Sequence, residues 1–191
     1  MADELEAVND VLGPLGSGDV MSLDEGDEDV IKAQSYLRKA KKSILKRGWF
    51  FNCKSNFVLA HSPDGTVTVP NDALKVDAAN STYVAVGKQM YDGSNNTFNI
   101  GEPLTVELCL DVDWELMPYV AFECITALAA YRLFRDLDGD KNQTKELKDE
   151  YALAIQALRD AQLIVEDHNV FNNPKVSAAL QRLKPGSSFH S

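Results

Sequence analysis

Residues 118–135, PYVAFECITALAAYRLFR, decide how the rest of the chain must be arranged. From Tyr119 to Arg135, 13 of 17 residues are apolar, and no Gly or Pro interrupts them. Pro118 suits a first helical turn, where its missing N–H is no loss. The run is therefore read as a helix. Its apolar positions fill more than one stripe: Ala121, Cys124, Leu128 and Tyr131 lie on one side, and Phe122, Ile125, Ala129 and Leu133 on an adjacent one. A helix apolar most of the way round has to be covered on most sides, by its own chain or partly by a neighbouring subunit. Ala127, Ala129 and Ala130 allow close approach of another backbone in either case. A membrane span would need about 20 apolar residues. Glu123 and Arg132 break the run near its ends, so no span is expected.

Two half-apolar helices are available as covers. Over Asp27 to Arg47, Val30, Ala33, Leu37, Ala40 and Ile44 step by three and four, and Gly48 fits the stop. Asp27, Glu28 and Asp29 at its start and Lys46 and Arg47 at its end both favour the helix dipole. From about Gln143 to Glu166, Leu147, Tyr151, Ala154, Leu158, Ala161 and Val165 form a second such seam. The two pack naturally on either side of the apolar helix, as in a small bundle. Near the N-terminus, Asp3 can cap a short helix from Glu4 to Leu12, ended by Gly13-Pro14. Trp49, Phe50 and Phe51 follow the second helix as an anchor between layers.

Between these helices the period changes to two. Phe57–Ala60 and Thr66–Val69 flank Ser62-Pro63-Asp64-Gly65, a hairpin signal. Tyr83–Val86 and Gln89–Tyr91 are further strands, and Leu104–Val112 alternates apolar with polar residues throughout. The fold class expected is α+β: a helical bundle of about four helices with a small antiparallel β-rich lobe inserted between the second and third helices. Residues 1–52 and 113–167 make the bundle, residues 53–112 the lobe, and residues 168–191 a C-terminal tail that is either docked on a partner or disordered. That tail carries Lys175, Arg182 and Lys184 with no acid, and Val176, Leu180 and Leu183 are its only spaced apolar anchors, read as a docking stripe.

At 191 residues, 45% hydrophobic and 25% charged, the composition is that of a soluble globular protein. The acidic opening Met-Ala-Asp-Glu has no apolar run behind it, so no signal peptide is expected. Cys53, Cys109 and Cys124 are odd in number and widely spaced, which reads as reduced thiols of a cytoplasmic product. The net charge of −10 discourages non-specific binding to DNA, but it is unevenly placed. Residues 30–47 hold Lys32, Arg38, Lys39, Lys41, Lys42, Lys46 and Arg47 and no acid, so this segment is +7 and the remainder −17. Such a molecule can set its basic face on a copy's acidic one, or fold the basic face back on its own acidic neighbours.

Chemistry-bearing motifs are sparse. His61, His168 and His190 have no metal-ligand spacing around them, and no nucleophile elbow, phosphate loop or zinc-protease motif occurs. Asp136, Asp138 and Asp140 begin like a calcium loop, but Lys141 and Leu147 stand where that loop needs Gly and Glu. A helix-capping turn is the reading there, and Asp111 and Asp113 are read as solvated. No cofactor, metal or catalytic residue is assigned, although a site assembled from distant residues would leave no motif.

Four patches in order resemble the tail tubular protein A family of T7-like short-tailed phages. They are Ala7-Val8-Asn9-Asp10-Val11-Leu12, then Arg47-Gly48-Trp49-Phe50-Phe51-Asn52, then Met90-Tyr91-Asp92, and last Asp113-Trp114-Glu115-Leu116-Met117-Pro118. Where that family has a Pro-Val pair after the first patch, this chain has Ser17-Gly18-Asp19-Val20 behind Gly16. The resemblance implies a structural virion protein, not an enzyme: an adaptor (gatekeeper) ring of twelve copies at the head–tail interface of a podovirus. It would dock beneath the portal and above the tail nozzle, made in the host cytoplasm, with DNA passing through its lumen during ejection without specific binding. Arg38, Lys39, Lys42, Lys46 and Arg47 are expected at the subunit interface, and Val176, Leu180 and Leu183 at the portal. The motif residues Val8, Asn9, Leu12, Gly48, Trp49, Phe50, Tyr91, Asp92, Trp114 and Pro118 are assigned to the core and the family motif, for fold and assembly only. The alternatives are a head-completion connector of another tailed-phage type, or a soluble α+β enzyme or ligand-binding domain.

Overall fold

The computed structural model describes residues 3–16, 18–23, 27–137 and 140–171, with side chains described as far as residue 167. Among them are four helices, α1 (Glu4–Leu12), α2 (Glu28–Leu45), α3 (Tyr119–Asp136) and α4 (Lys141–Phe171). The five strands, β1 (Cys53–Leu59), β2 (Ala73–Ala78), β3 (Tyr83–Val86), β4 (Gln89–Asp92) and β5 (Leu104–Leu110), all lie between α2 and α3. The architecture is the expected α+β bundle with an inserted lobe.

Three of the four helices, all but α3, begin where a side chain satisfies their first N–H groups. Asp3 accepts from Glu6 N at 2.8 Å, and Asp27 from Asp29 N at 2.9 Å. Asp140 accepts from Asn142 N at 2.8 Å and Gln143 N at 3.1 Å, so this part of the acidic turn is a cap. The apolar helix α3 is central. It packs against α1, α2 and α4, whereas α2 and α4 pack on α3 rather than on each other. Phe122 and Ile125 are fully buried and Leu133 nearly so. Each such side chain contributes about 1.5–3 kcal/mol relative to exposure.

The lobe has its own apolar cluster, built from Leu59, Val67, Val69, Met90, Leu104, Val106 and Leu108. Its main sheet has the order β1-β5-β2, antiparallel throughout, and β3 pairs with β4 in a separate ribbon. The alternation of β5 holds as far as Leu108, with Leu104, Val106 and Leu108 buried between exposed Thr105 and Glu107. Cys109, expected on the polar face, is instead fully buried in its disulfide, and the strand ends at Leu110.

Several expectations need correction. The arm Thr66–Val69 is not a continuous strand. The turn before it does close, with Gly65 N donating to Ser62 O at 2.8 Å, but beyond it the chain makes only isolated bridges to His61, Gln89 and Asn99. Pro70, which has no N–H, prevents the ladder from continuing. Strand β2 was not foreseen, because it lies half-buried for most of its length and shows no alternation to read. α4 begins two residues before Gln143 and runs five beyond Glu166. Cys53 and Cys109 are not free thiols: they face each other across β1 and β5 and are joined in a disulfide. Asp111 is not solvated either. It lies 2.9 Å from the Lys41 ammonium, out of line for a hydrogen bond, so the attraction is ionic.

Candidate functional site

Because the seam Val30, Ala33, Leu37, Ala40 and Ile44 faces the core, helical geometry turns Ile31, Arg38, Lys42 and Lys46 to the opposite side. All four are exposed, as are Lys39 and Arg47. Among the described residues, two of the seven cations in this segment fold back on acids of their own chain. Lys32 pairs with Glu28 at 2.8 Å, and Lys41 pairs with Asp111. Lys41 also sits 5.2 Å above the Trp114 ring, and Lys39 lies 5.1 Å above the Tyr36 ring. Among the described residues, Arg38, Lys42, Lys46 and Arg47 have no ion-pair partner. The structure thus presents the predicted interface residues together on one outward surface, with Arg47 at its end.

A groove of about 530 Å³ opens elsewhere on the bundle, between α1, α3 and α4. Ala127, Ala130, Ala154 and Ala157 leave the space, and Tyr119 and Leu153 stand at its walls, 59% and 74% exposed. Asp10, Glu123 and Glu150 line it with no Lys or Arg among them. Burial pushes the Asp10 carboxyl above its ordinary value, and the charges of Glu6, Glu123 and Glu150 push it further. On α4, Leu153, Ala157 and Ile164 make a second apolar stripe besides the seam that packs on α3. Sequence reading missed this groove. The only local signal was three apolar residues at helical spacing outside the seam.

The motif residues divide between the core and the turns that connect the elements. Val8 and Leu12 are buried in the bundle core. Asn9 clasps the loop after α1, accepting from Val20 N at 2.9 Å and donating to Val20 O at 3.2 Å. Gly48 turns the chain at φ +83°, where a Cβ would meet both disulfide sulfurs at about 3 Å. Trp49 donates its indole N–H to Ile44 O at 2.8 Å, and Phe50 N donates to Gln162 of α4 at 2.7 Å. Asn52, placed in the motif only by position, accepts from Trp49 N and donates to Leu45 O and Leu110 O. Tyr91 packs edge-on against Phe98. Asp92 closes the turn after β4, where the Asn95 amide holds its carboxyl below the usual range. Trp114 meets Phe122 edge-on, and Pro118 stands at the start of α3.

Few groups are arranged for chemistry. His61 is exposed and its ring approaches Ser62 O. One cluster among the described residues has metal-ligand proximity, Cys53, Glu107 and Cys109, but the disulfide uses both sulfurs, which leaves no thiolate to bind a cation. Asp136 is taken up by Tyr36 OH at 2.8 Å and by Arg135 rather than pointing into a loop with Asp140. Cys124 is buried, and burial pushes its thiol up to about 11. No helix among the described residues is long and apolar enough to cross a membrane. Val176, Leu180, Leu183 and His190 lie outside the described residues, as does the side chain of His168.

Comparison with known proteins agrees with the motif patches. The tail tubular protein family matches residues 5–166. Tail tubular protein A of Klebsiella phage KP34 is 28% identical over 160 residues, covering 82% of this chain and 86% of that protein.

Proposed function

The chain belongs to the tail tubular protein family and is a phage tail structural protein, and we propose that it forms the adaptor (gatekeeper) ring joining the portal to the tail nozzle in a short-tailed phage. In this reading twelve copies follow the portal's symmetry, the nozzle docks below, and DNA crosses the lumen. One observation carries the proposal: Arg38, Lys42, Lys46 and Arg47 face outward without an ion-pair partner among the described residues, on a chain whose net charge is −10. A cationic rod on an anionic body suits a heterologous contact repeated around an axis. The acid surplus leaves the rest of the molecule poor in phosphate-gripping groups, which suits a conduit through which DNA slides. The C-terminal residues Val176, Leu180 and Leu183 are assigned to portal docking on their sequence pattern alone.

Native mass spectrometry of the chain with and without the portal protein of the same phage tests this reading. A twelve-copy complex on the portal, competent to bind the nozzle protein, is expected. A chain that stays monomeric beside the portal overturns it. A ring that binds the portal but takes a different lower partner would make the protein a head-completion connector instead.

A further inference from the structure

We infer that the groove between α1, α3 and α4 receives the outward face of α2 from a second copy of this chain, head to tail. This contact presupposes the ring proposed above and supplies the acceptor surface that the ring requires. Charge supports it first. The groove sets Asp10, Glu123 and Glu150 around one opening with no cation in its lining, while Arg38 and Lys42 of α2 and Lys46 at its C-terminal cap stand in one row with no acid partner among the described residues. Like charges left crowded in a groove repel, and guanidinium and ammonium groups entering from a neighbour replace that repulsion with attraction.

Shape and polarity agree. The alanines flooring the groove let a helix approach closely, and side chains four residues apart form the ridge that such a groove accepts. The α2 face also carries an apolar residue, Ile31, 57% exposed, to set against Leu153 and Tyr119. Apolar contact beside the ion pairs lets such an interface hold at physiological salt, where isolated surface ion pairs are screened. Sidedness completes the case. α2 turns its seam to α3, so its cationic row points away from the bundle, and the groove uses none of its residues. Each copy can therefore give with one surface and take with the other, as the heterologous contact of a ring requires.

Reciprocal charge reversal tests the contact in the full chain. Glu123→Lys with Glu150→Lys makes both surfaces basic, and Arg38→Glu with Lys42→Glu makes both acidic. All four positions are exposed, so each variant should keep the wild-type circular dichroism and melting temperature. At physiological salt in the presence of portal, each variant alone should lose assembly at least tenfold. Mixing the two, or combining all four changes in one chain, should restore it. A photo-crosslinker at position 153 should report residues 31–46 of another copy. Wild-type assembly with unimpaired Glu123→Lys/Glu150→Lys rings overturns the groove contact and leaves the adaptor reading standing, as does failure of the mixture to recover. Crosslinks to residues 172–191 or to a different virion protein also overturn it. A wild-type chain that never assembles overturns both.

Discussion

The side-chain amide of Asn52 donates to the carbonyl of Leu110 at 2.9 Å, joining the turn after α2 to the end of the strand that leads back into the bundle. The same amide donates to Leu45 O at 3.0 Å, and its oxygen accepts from Trp49 N at 2.8 Å. One side chain, 3% exposed, thus satisfies three backbone groups at the seam between helices and lobe.

Asn52→Ala should therefore cost about 2 kcal/mol, because it strands the buried Trp49 N–H and takes a donor from the part-buried Leu110 O, while Leu45 O keeps the Gly48 N–H. Asn52→Asp should cost at least as much: the carboxylate can still accept from Trp49 but meets two carbonyls with nothing to donate. Urea unfolding followed by Trp fluorescence measures both. A loss below about 1 kcal/mol in Asn52→Ala would mean water replaces the amide there.

The helices were readable because their signals are local. Seam spacing in α2, the cap at Asp3 and the alternation of β5 as far as Leu108 are all carried by neighbouring residues, and each survived folding. What stayed hidden depends on partners far away in the chain. Asn52 finds Leu110 at a separation of 58 residues, Cys53 finds Cys109 at 56, and the groove draws one wall from each of three helices. Strand β2 was illegible for a related reason, since with most of its residues half-buried neither face announces itself. The basic row of α2 was legible as charge. Which of its members are already spent inside the chain was not, because Asp111 and Trp114 reach Lys41 only through the lobe's return to the bundle.

The thiol content gives a second prediction. The chain has three cysteines, of which Cys53 and Cys109 are bonded. Purified without reductant and denatured, the protein should titrate one thiol per chain. In the native state Cys124 should not react within minutes at pH 8. With its pKa at about 11, only about a thousandth of it is thiolate there, and it is buried besides. Reduction should lower the melting temperature by about 10 °C, since the bridge closes a 56-residue loop worth about 4 kcal/mol in the unfolded chain. Three reactive thiols in the denatured, unreduced protein would sink the pairing.

Lys41 gives the third. Its ammonium is shared between Asp111 and the face of Trp114, and its side chain is only 14% exposed, so it stitches α2 to the segment connecting β5 and α3. Lys41→Met keeps much of the packing of the stem but leaves the Asp111 carboxylate, 31% exposed, without its cation. The expected loss is about 1–2 kcal/mol, more than a surface pair gives and less than a fully buried one. Asp111→Asn should cost a similar amount. The double variant, with neither charge left uncompensated, should lose less than the two single losses added together. Because the pair is partly buried, raising the salt should change these differences little. Emission should shift mainly from Trp114, since Trp49 is held separately by its bond to Ile44 O. If the two single losses simply add in the double variant, Lys41 and Asp111 are not coupled, and the lobe is held to α2 by Asn52 and the disulfide instead.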